Sequence, residues 1–332
     1  MTDSMAASVA HYNLLERIGS GPLGELYRAR DTKVGRTVAL RVIAHAIATD
    51  PVRFSRLIAD ARAASGVSHP NVATLFDTGE DVQNPYLAHE FASGHHLDEE
   101  MGGTAMNTRR ALDLILQISD GLADAHASGV IHGDLRPQTI IVTGKGSAKI
   151  IECGFASWTE GGAIRAQAAH NPDRLADGAN AVVAYLSPEQ AIGAAIDLRS
   201  DVFTLGTIAY EMLTGRNPFL ASSPAATVVN VIHKPIPLAS EANSSVPSEV
   251  DGILAKALSR SIDERQQNVA SFAAALRTIS TMLDVREGDA ASDAAGLLPL
   301  DDQPDRQGTM VAVAALAVAA IAAVVVWWFL TH

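Results

Sequence analysis

Three short stretches hold the residues whose types and spacing suit chemistry on phosphate. Residues 18–31 read IGSGPLGELYRARD, and Gly19, Gly21 and Gly24 fit the spacing G-x-G-x-x-G. Glycines in such a loop let backbone N–H groups come close to phosphate oxygens. A glycine cluster by itself is more often an ordinary turn, so its weight depends on the motifs further along the chain. Residues 130–142 read VIHGDLRPQTIIV, and residues 149–156 read KIIECGFA. Together they bring a carboxylate (Asp134), a cation (Arg136), a hydroxyl (Thr139) and a second carboxylate (Glu152) into one short span of chain.

Several elements are needed to position these groups. VALRVI at 38–43 is a short apolar run with β-branched residues and predicts a strand. Residues 53–65 are Ala-rich and free of Gly and Pro, which predicts a helix ending near Gly66. Residues 109–128 carry Leu112, Ile115, Leu116 and Leu122 at helical spacing and predict a buried helix of a larger, helical lobe. The apolar run 202–213 predicts a second helix central to that lobe. No internal repeat is visible.

With 332 residues and 48% apolar content, the chain can build a two-lobed domain plus an extension. Its formal charge of −12 argues against nucleic acid as a partner, because phosphate backbones demand clustered Lys and Arg. The single cysteine, Cys153, excludes an internal disulfide and suits a reducing cytosol. The first ten residues lack the basic start and apolar run of a signal peptide. Residues 284–309 hold seven acids and two arginines with Gly and Pro interspersed, and are expected to form a flexible linker. Residues 310–330, MVAVAALAVAAIAAVVVWWFL, carry no charge, and as a helix would span roughly 30 Å, the hydrocarbon thickness of a bilayer. Trp327 and Trp328 near its end suit the membrane interface, and only Thr331 and His332 come after it. The expectation is a single-pass tail anchor in the cell membrane. The body of the chain would be cytoplasmic, without an extracellular sensor, and would act on cytoplasmic signalling proteins.

The order and spacing of these motifs resemble the eukaryotic-like Ser/Thr protein kinases of bacteria, over roughly residues 12–282. In that family the two loops usually read H-R-D-L-K-P-x-N and D-F-G. The resemblance implies an α+β, bilobal fold. A β-rich N-lobe would cover about 12–91 after an N-terminal tail 1–11, and a helical C-lobe about 94–283. It implies ATP and Mg²⁺ as cosubstrate and cofactor. Gly19, Gly21 and Gly24 would cover the phosphates, Leu26 and Ala39 the adenine ring. The hinge YLAHEFASG at 86–94, including Glu90 and Ala92, would bind the adenine edge through its backbone. His89 falls at the gatekeeper position as a pocket-lining side chain, while His95 and His96 are expected to be exposed loop residues.

Several residues depart from the family pattern. Arg41 stands for the strand lysine, and Asp60, counted back from His69-Pro70, for its glutamate partner on the next helix. The resemblance implies that Arg41 contacts the α/β-phosphates and pairs with Asp60 as part of the nucleotide site; a planar guanidinium does not replace a point-charge ammonium without cost, and a purely structural ion pair is slightly favoured over that role. Asp134 matches the catalytic base and Arg136 the γ-phosphate lysine. Thr139 and Glu152 stand for the metal-binding Asn and Asp. Mg²⁺ prefers near-ideal octahedral geometry, so a poorer ligand and a carboxylate one methylene too long both matter. Weakening both ligands would cost on the order of 10² to 10⁴ in rate. Cys153 replaces the Phe whose packing couples loop to helix, and looser coupling is expected. The activation segment, 152–189, has no Ser or Thr between Glu160 and Leu186, leaving Ser157 and Thr159 near its start. Val182 stands where a Thr contacts the catalytic Asp, and Gly133 where an Arg receives a loop phosphate. Glu189 with Arg265, and Asp201 against the catalytic loop, are structural pairs. The joint changes favour a membrane-anchored pseudokinase or very weak enzyme that binds nucleotide and partners. The alternative is an active Ser/Thr kinase.

Overall fold

A computed structural model describes residues 8–80 and 85–296. Six strands form one antiparallel sheet: β1 (Ser8–Val9), β2 (Tyr12–Gly21), β3 (Gly24–Asp31), β4 (Thr37–Ile43), β5 (Leu75–Gly79) and β6 (Tyr86–Glu90). Their order is β1-β2-β3-β4-β6-β5, so β4, with its predicted run of branched residues, is central. Val38 and Leu40 are fully buried on one face with Tyr12, Ala29 and Ala88. Gly24 adopts φ +134°, and a Cβ there would run into the carbonyl of Val42. This glycine is thus required by the β3–β4 approach itself, while Gly21 faces open space.

Two helices cross between β4 and β5, α1 (His45–Ala48) and α2 (Pro51–Ala64). The second begins where Asp50 accepts hydrogen bonds from the amides of Val52 and Arg53, with Pro51 in the first turn. It turns Leu57, Ala61 and Ala64 onto a core shared with Ile43, Ile47, Leu75, Leu87, Phe155 and Trp158. The C-lobe opens with β7 (Gly94–His96), α3 (Leu97–Met101) and α4 (Thr108–Ala127). Strands β8 (Ile140–Thr143) and β9 (Ala148–Ile150) come next and join β7 in a second sheet. Helices α5 (Glu160–His170), α6 (Asn180–Val183), α7 (Pro188–Ala191), α8 (Leu198–Thr214), α9 (Pro224–His233), α10 (Ala239–Ala242), α11 (Glu249–Ala257) and α12 (Val269–Gly296) complete the described chain. The stripe on α4 and the run on α8 pack together as the lobe's centre. The bilobal α+β architecture and the four predicted elements agree with the sequence reading to within a few residues.

One expectation meets a different picture. Helix α12 continues to Gly296, so the first part of the acidic stretch read as a linker is helical. Four alanines between 290 and 295, the best helix formers, outweigh the acids around them. Residues 297–309 and the apolar run 310–330 lie outside the described residues. Among the described residues no helix is long and apolar enough to cross a membrane.

Candidate active site

The catalytic loop is held from below by one buried carboxylate. Asp201, in the first turn of α8, accepts hydrogen bonds from the backbone amides of His132 and Gly133, both at 2.8 Å, and pairs with His126 Nε2 at 2.8 Å. Burial alone would push this carboxyl up, but the His126 contact, the neighbouring His132 ring and the Gly133 amide hold it below the usual carboxylate range. A second brace joins Glu189 to Arg265 at 2.8 and 3.2 Å, with the Ser200 hydroxyl at 2.6 Å, and Arg265 is 1% exposed. Both braces therefore stand where the spacing placed them.

Above the braces the residues are arranged differently from the family pairing. Arg41 does not meet Asp60. Its Nη2 donates to Glu152 Oε1 at 2.5 Å, and Asp60 instead accepts from the Trp158 indole at 2.7 Å. Size explains the exchange: Arg and Glu are each longer than the residues they replace and reach one another, whereas the shorter Asp60 meets the indole inserted beneath α2. Trp158 is 6% exposed and is buried with Leu57 and Ala61 of α2. The looser coupling expected at Cys153 is not found either. Phe155, two residues on, lies in that same cluster and stacks edge-on against His89 with centroids 5.5 Å apart. Cys153 is a buried filler whose thiol is pushed up to about 12 by burial, and then by the nearby Asp201 charge.

Asp134 is covered by the activation segment. The Thr159 hydroxyl donates to Asp134 Oδ2 at 2.8 Å, and Arg136 Nε lies 3.5 Å from Oδ1. Thr159 also caps α5 by accepting from the Gly162 amide at 3.1 Å. Gly161 sits against Asp134 so closely that a Cβ would fall on its carboxylate, and Gly162 lies as close to the Ala156 carbonyl. The glycine pair is what lets this helix reach the loop. Arg165 of α5 then donates to the Gly133 carbonyl at 2.6 Å, which Gln190 also engages at 2.7 Å. Gly133 has φ +68°, a conformation that suits glycine, and the Arg165 guanidinium lies beside it. The hydroxyl missing at Val182 and the arginine missing at Gly133 are thus both supplied by the segment, as Thr159 and Arg165.

A cleft runs from the glycine loop to the hinge. Its apolar end, about 290 Å³, is lined by Ile18, Leu26, Ala39, Ile141, Ile151 and the 89–92 hinge. The two hinge residues expected at the adenine edge, Glu90 and Ala92, both line this end. The Glu90 amide already donates to the Thr74 carbonyl, and its side chain pairs with Lys149 at 2.6 Å. The polar end, about 230 Å³, is lined by Gly19, Gly21, Arg41, Arg136, Glu152 and Thr159. His95 and His96 are not loop residues: they lie in β7, His95 meeting Glu100 and His96 lining both ends of the cleft.

For a metal ion, the two expected ligands differ. Thr139 Oγ1 donates to the Arg136 carbonyl at 2.9 Å and accepts from the Arg136 amide at 3.0 Å, so it is engaged within its own turn. Glu152 fits a metal held by one carboxylate plus phosphates and water, once Arg41 lets go. No cluster of three or more His, Cys, Asp or Glu suited to a metal occurs among the described residues.

A family model, the protein kinase domain, matches residues 12–276. The chain belongs to the protein kinase family. A probable serine/threonine-protein kinase of Streptomyces coelicolor is 32% identical over 266 residues, covering 77% of this chain and 38% of that protein. Serine/threonine-protein kinase PknB of Mycolicibacterium smegmatis is 32% identical over 294 residues, covering 84% of this chain and 43% of its own length. The chain therefore spans about two-fifths of the curated relatives it matches. The Mycobacterium tuberculosis PknI kinase domain superposes with a TM-score of 0.62 at 21% identity, covering 84% of this chain and 99% of that one, a likeness of fold.

The family's motifs find Arg136, Arg41 and Glu152 around one cleft, with Asp134 beside it beneath Thr159. Spacing did not find Phe155, Trp158, Gly161 or Arg165. The Gly161-Gly162 doublet and the lone tryptophan outside the apolar run were the available signals.

Proposed function

We propose that this chain is a membrane-tethered, nucleotide-binding Ser/Thr protein kinase of low intrinsic rate, held closed by its own activation segment. The Arg41–Glu152 ion pair carries this reading. It ties up the cation that would meet the phosphates and the carboxylate that would hold the metal, in one contact of 2.5 Å. Nucleotide must separate them before transfer. The base would enter the apolar end of the cleft and the phosphates the polar end, toward Arg41 and Arg136. A metal on Glu152 would neutralise phosphate charge. Asp134 would orient a Ser or Thr hydroxyl of a cytoplasmic protein, after the segment withdraws. Residues 310–330 supply the tether, on the strength of their length and lack of charge.

A second reading is a pseudokinase that only binds nucleotide and partners. The engagement of Thr139 within its own turn favours it, because the second metal ligand is then absent. The test is transfer from γ-labelled ATP to a generic protein acceptor by the full chain with Mg²⁺ or Mn²⁺, with Asp134→Asn as control. Slow transfer lost in the control supports the first reading. Glu152→Asp with Thr139→Asn should then be faster by roughly 10² or more. Thermal stabilisation by ATP without any transfer, in wild type and in the repaired variant, supports the second.

A further inference from the structure

His89 has no part in the proposed transfer, yet it puts a polar ring into the apolar end of the cleft, beside Leu26, Ala39, Ile141 and Ile151. The charged side chains of that end are matched, Arg41 with Glu152 and Glu90 with Lys149. His89 Nε2, in contrast, is buried with no hydrogen-bond partner. A buried nitrogen in that state is costly, and a ligand that supplies the missing bond recovers the cost. The sheet fixes where the side chain stands. His89 lies opposite Ala39 of β4 and Leu75 of β5 in the antiparallel register, and Phe155 packs edge-on against its ring. With no bond at Nε2, rotation about χ2 is free to bring a ring nitrogen to the cavity. Burial, then the Arg41 charge, keeps the imidazole neutral at neutral pH. A neutral imidazole has one donor and one acceptor nitrogen, and its proton can sit on either.

The position of His89 along the cleft decides which part of a nucleotide it meets. Leu26, Arg41, His96, Ile151 and Glu152 line both ends and mark their junction, whereas His89 lines the apolar end alone. With phosphates in the polar end, the sugar falls at the junction and the base beyond it. A purine then turns the edge farthest from its sugar toward the wall that holds His89. That edge carries the amino group of adenine or the carbonyl of hypoxanthine and guanine. We infer that His89 selects the base by hydrogen-bonding this exocyclic group, accepting from an amino group or donating to a carbonyl. The inference rests on the nucleotide-binding part of the proposed function. The cleft thereby takes purine nucleotides with either group at this edge, rather than adenine nucleotides alone.

The full chain, with Mg²⁺ present, is titrated calorimetrically with ADP, inosine diphosphate and the diphosphate of purine riboside, which has neither exocyclic group. Expected is tighter binding of the first two than of the third by roughly 3- to 10-fold, the scale of one hydrogen bond. His89→Leu should bind all three alike, at the wild-type affinity for purine riboside diphosphate. His89→Gln, whose amide both donates and accepts, should regain part of the preference. In wild type labelled with ¹⁵N-histidine, the His89 ring signals should move with ADP and inosine diphosphate, and less with purine riboside diphosphate. This last measurement needs no variant to fold. A preference that is equal in wild type and in His89→Leu overturns the inference and leaves nucleotide binding standing. So do ring signals that respond alike to all three ligands, a wild type that binds the three alike, and one that rejects inosine diphosphate. No binding of any of the three overturns the nucleotide-binding reading as well.

Discussion

The two sides of the catalytic loop have met sequence change in opposite ways. Below Asp134, the braces keep both partners: Asp201 on the 132–133 amides, and Glu189 on Arg265. Above it every family pairing is exchanged, Arg41 to Glu152 and Asp60 to Trp158, with Thr159 and Arg165 supplying groups that Val182 and Gly133 lack. Burial of both partners below, against only one partner of each pair above, accounts for the difference. A buried charge without its partner has no water to turn to, so one-sided change there is destabilising. At the rim of the cleft Glu152 keeps 27% of its side-chain surface, and neighbouring groups of the right reach take over.

The largest effect is therefore expected from below. Arg265→Ala leaves Glu189 buried and unpaired, and should cost about 3–5 kcal/mol in chemical denaturation. Burial pushes Glu189 up, but Arg265 and Ser200 bring it below the usual range. Its contribution is accordingly present above the ordinary carboxylate range and lost as pH falls through the lowered folded value. An Arg265→Ala loss below about 1 kcal/mol, the scale of an exposed pair, would break the comparison.

His89 sharpens it from the middle of the cleft. Burial, then the Arg41 charge, pushes its imidazole down to about 4 from the usual 6.5. The folded chain thus holds it neutral where the unfolded chain takes a proton. Stability from this group is complete above about 6.5 and is lost as pH falls toward 4, about 3 kcal/mol at 1.36 per unit. As pH falls through that window, wild type should lose stability relative to His89→Leu in thermal melts. Parallel curves would sink the assignment.

Smaller effects belong to the segment. Trp158→Phe removes the indole donor from Asp60 while keeping an aromatic ring, and should cost about 2 kcal/mol, since the acceptor is charged. Faster proteolysis within 156–175 should accompany it. Gly161→Ala puts a methyl group on the Asp134 carboxylate and should cost about 1–3 kcal/mol as overpacking. Phosphotransfer to a generic acceptor should rise in the same variant, because the helix can no longer lie on the loop. A stable Gly161→Ala chain with unchanged proteolysis would mean that α5 does not rest there in solution.

Much of the fold was legible because its signals are local. The branched run at 38–43, the Ala-rich helix before Gly66 and the stripes of α4 and α8 each arise from periodicity and terminal residues. The ordered motifs located the cleft and both buried braces. What spacing did not reveal was partner choice. Arg41, Asp60 and Glu152 are separated by up to 111 residues, and their charges allow more than one pairing. Side-chain reach and the insertion of Trp158 decide among them, and neither is a property of local sequence. The same holds for Cys153, whose loss of bulk is met by Phe155 two positions on. Likewise Gly161 and Gly162, poor helix formers, sit in α5 because its packing on Asp134 and on the Ala156 carbonyl leaves no room for a Cβ at either. The sequence by itself thus determined the elements, the cleft and the buried carboxylates, which depend on hydrophobic period and fixed motif order. Only the tertiary structure decided which cation meets which acid, and that a segment of the chain lies across its own catalytic carboxylate, because those outcomes depend on distances between residues far apart in sequence.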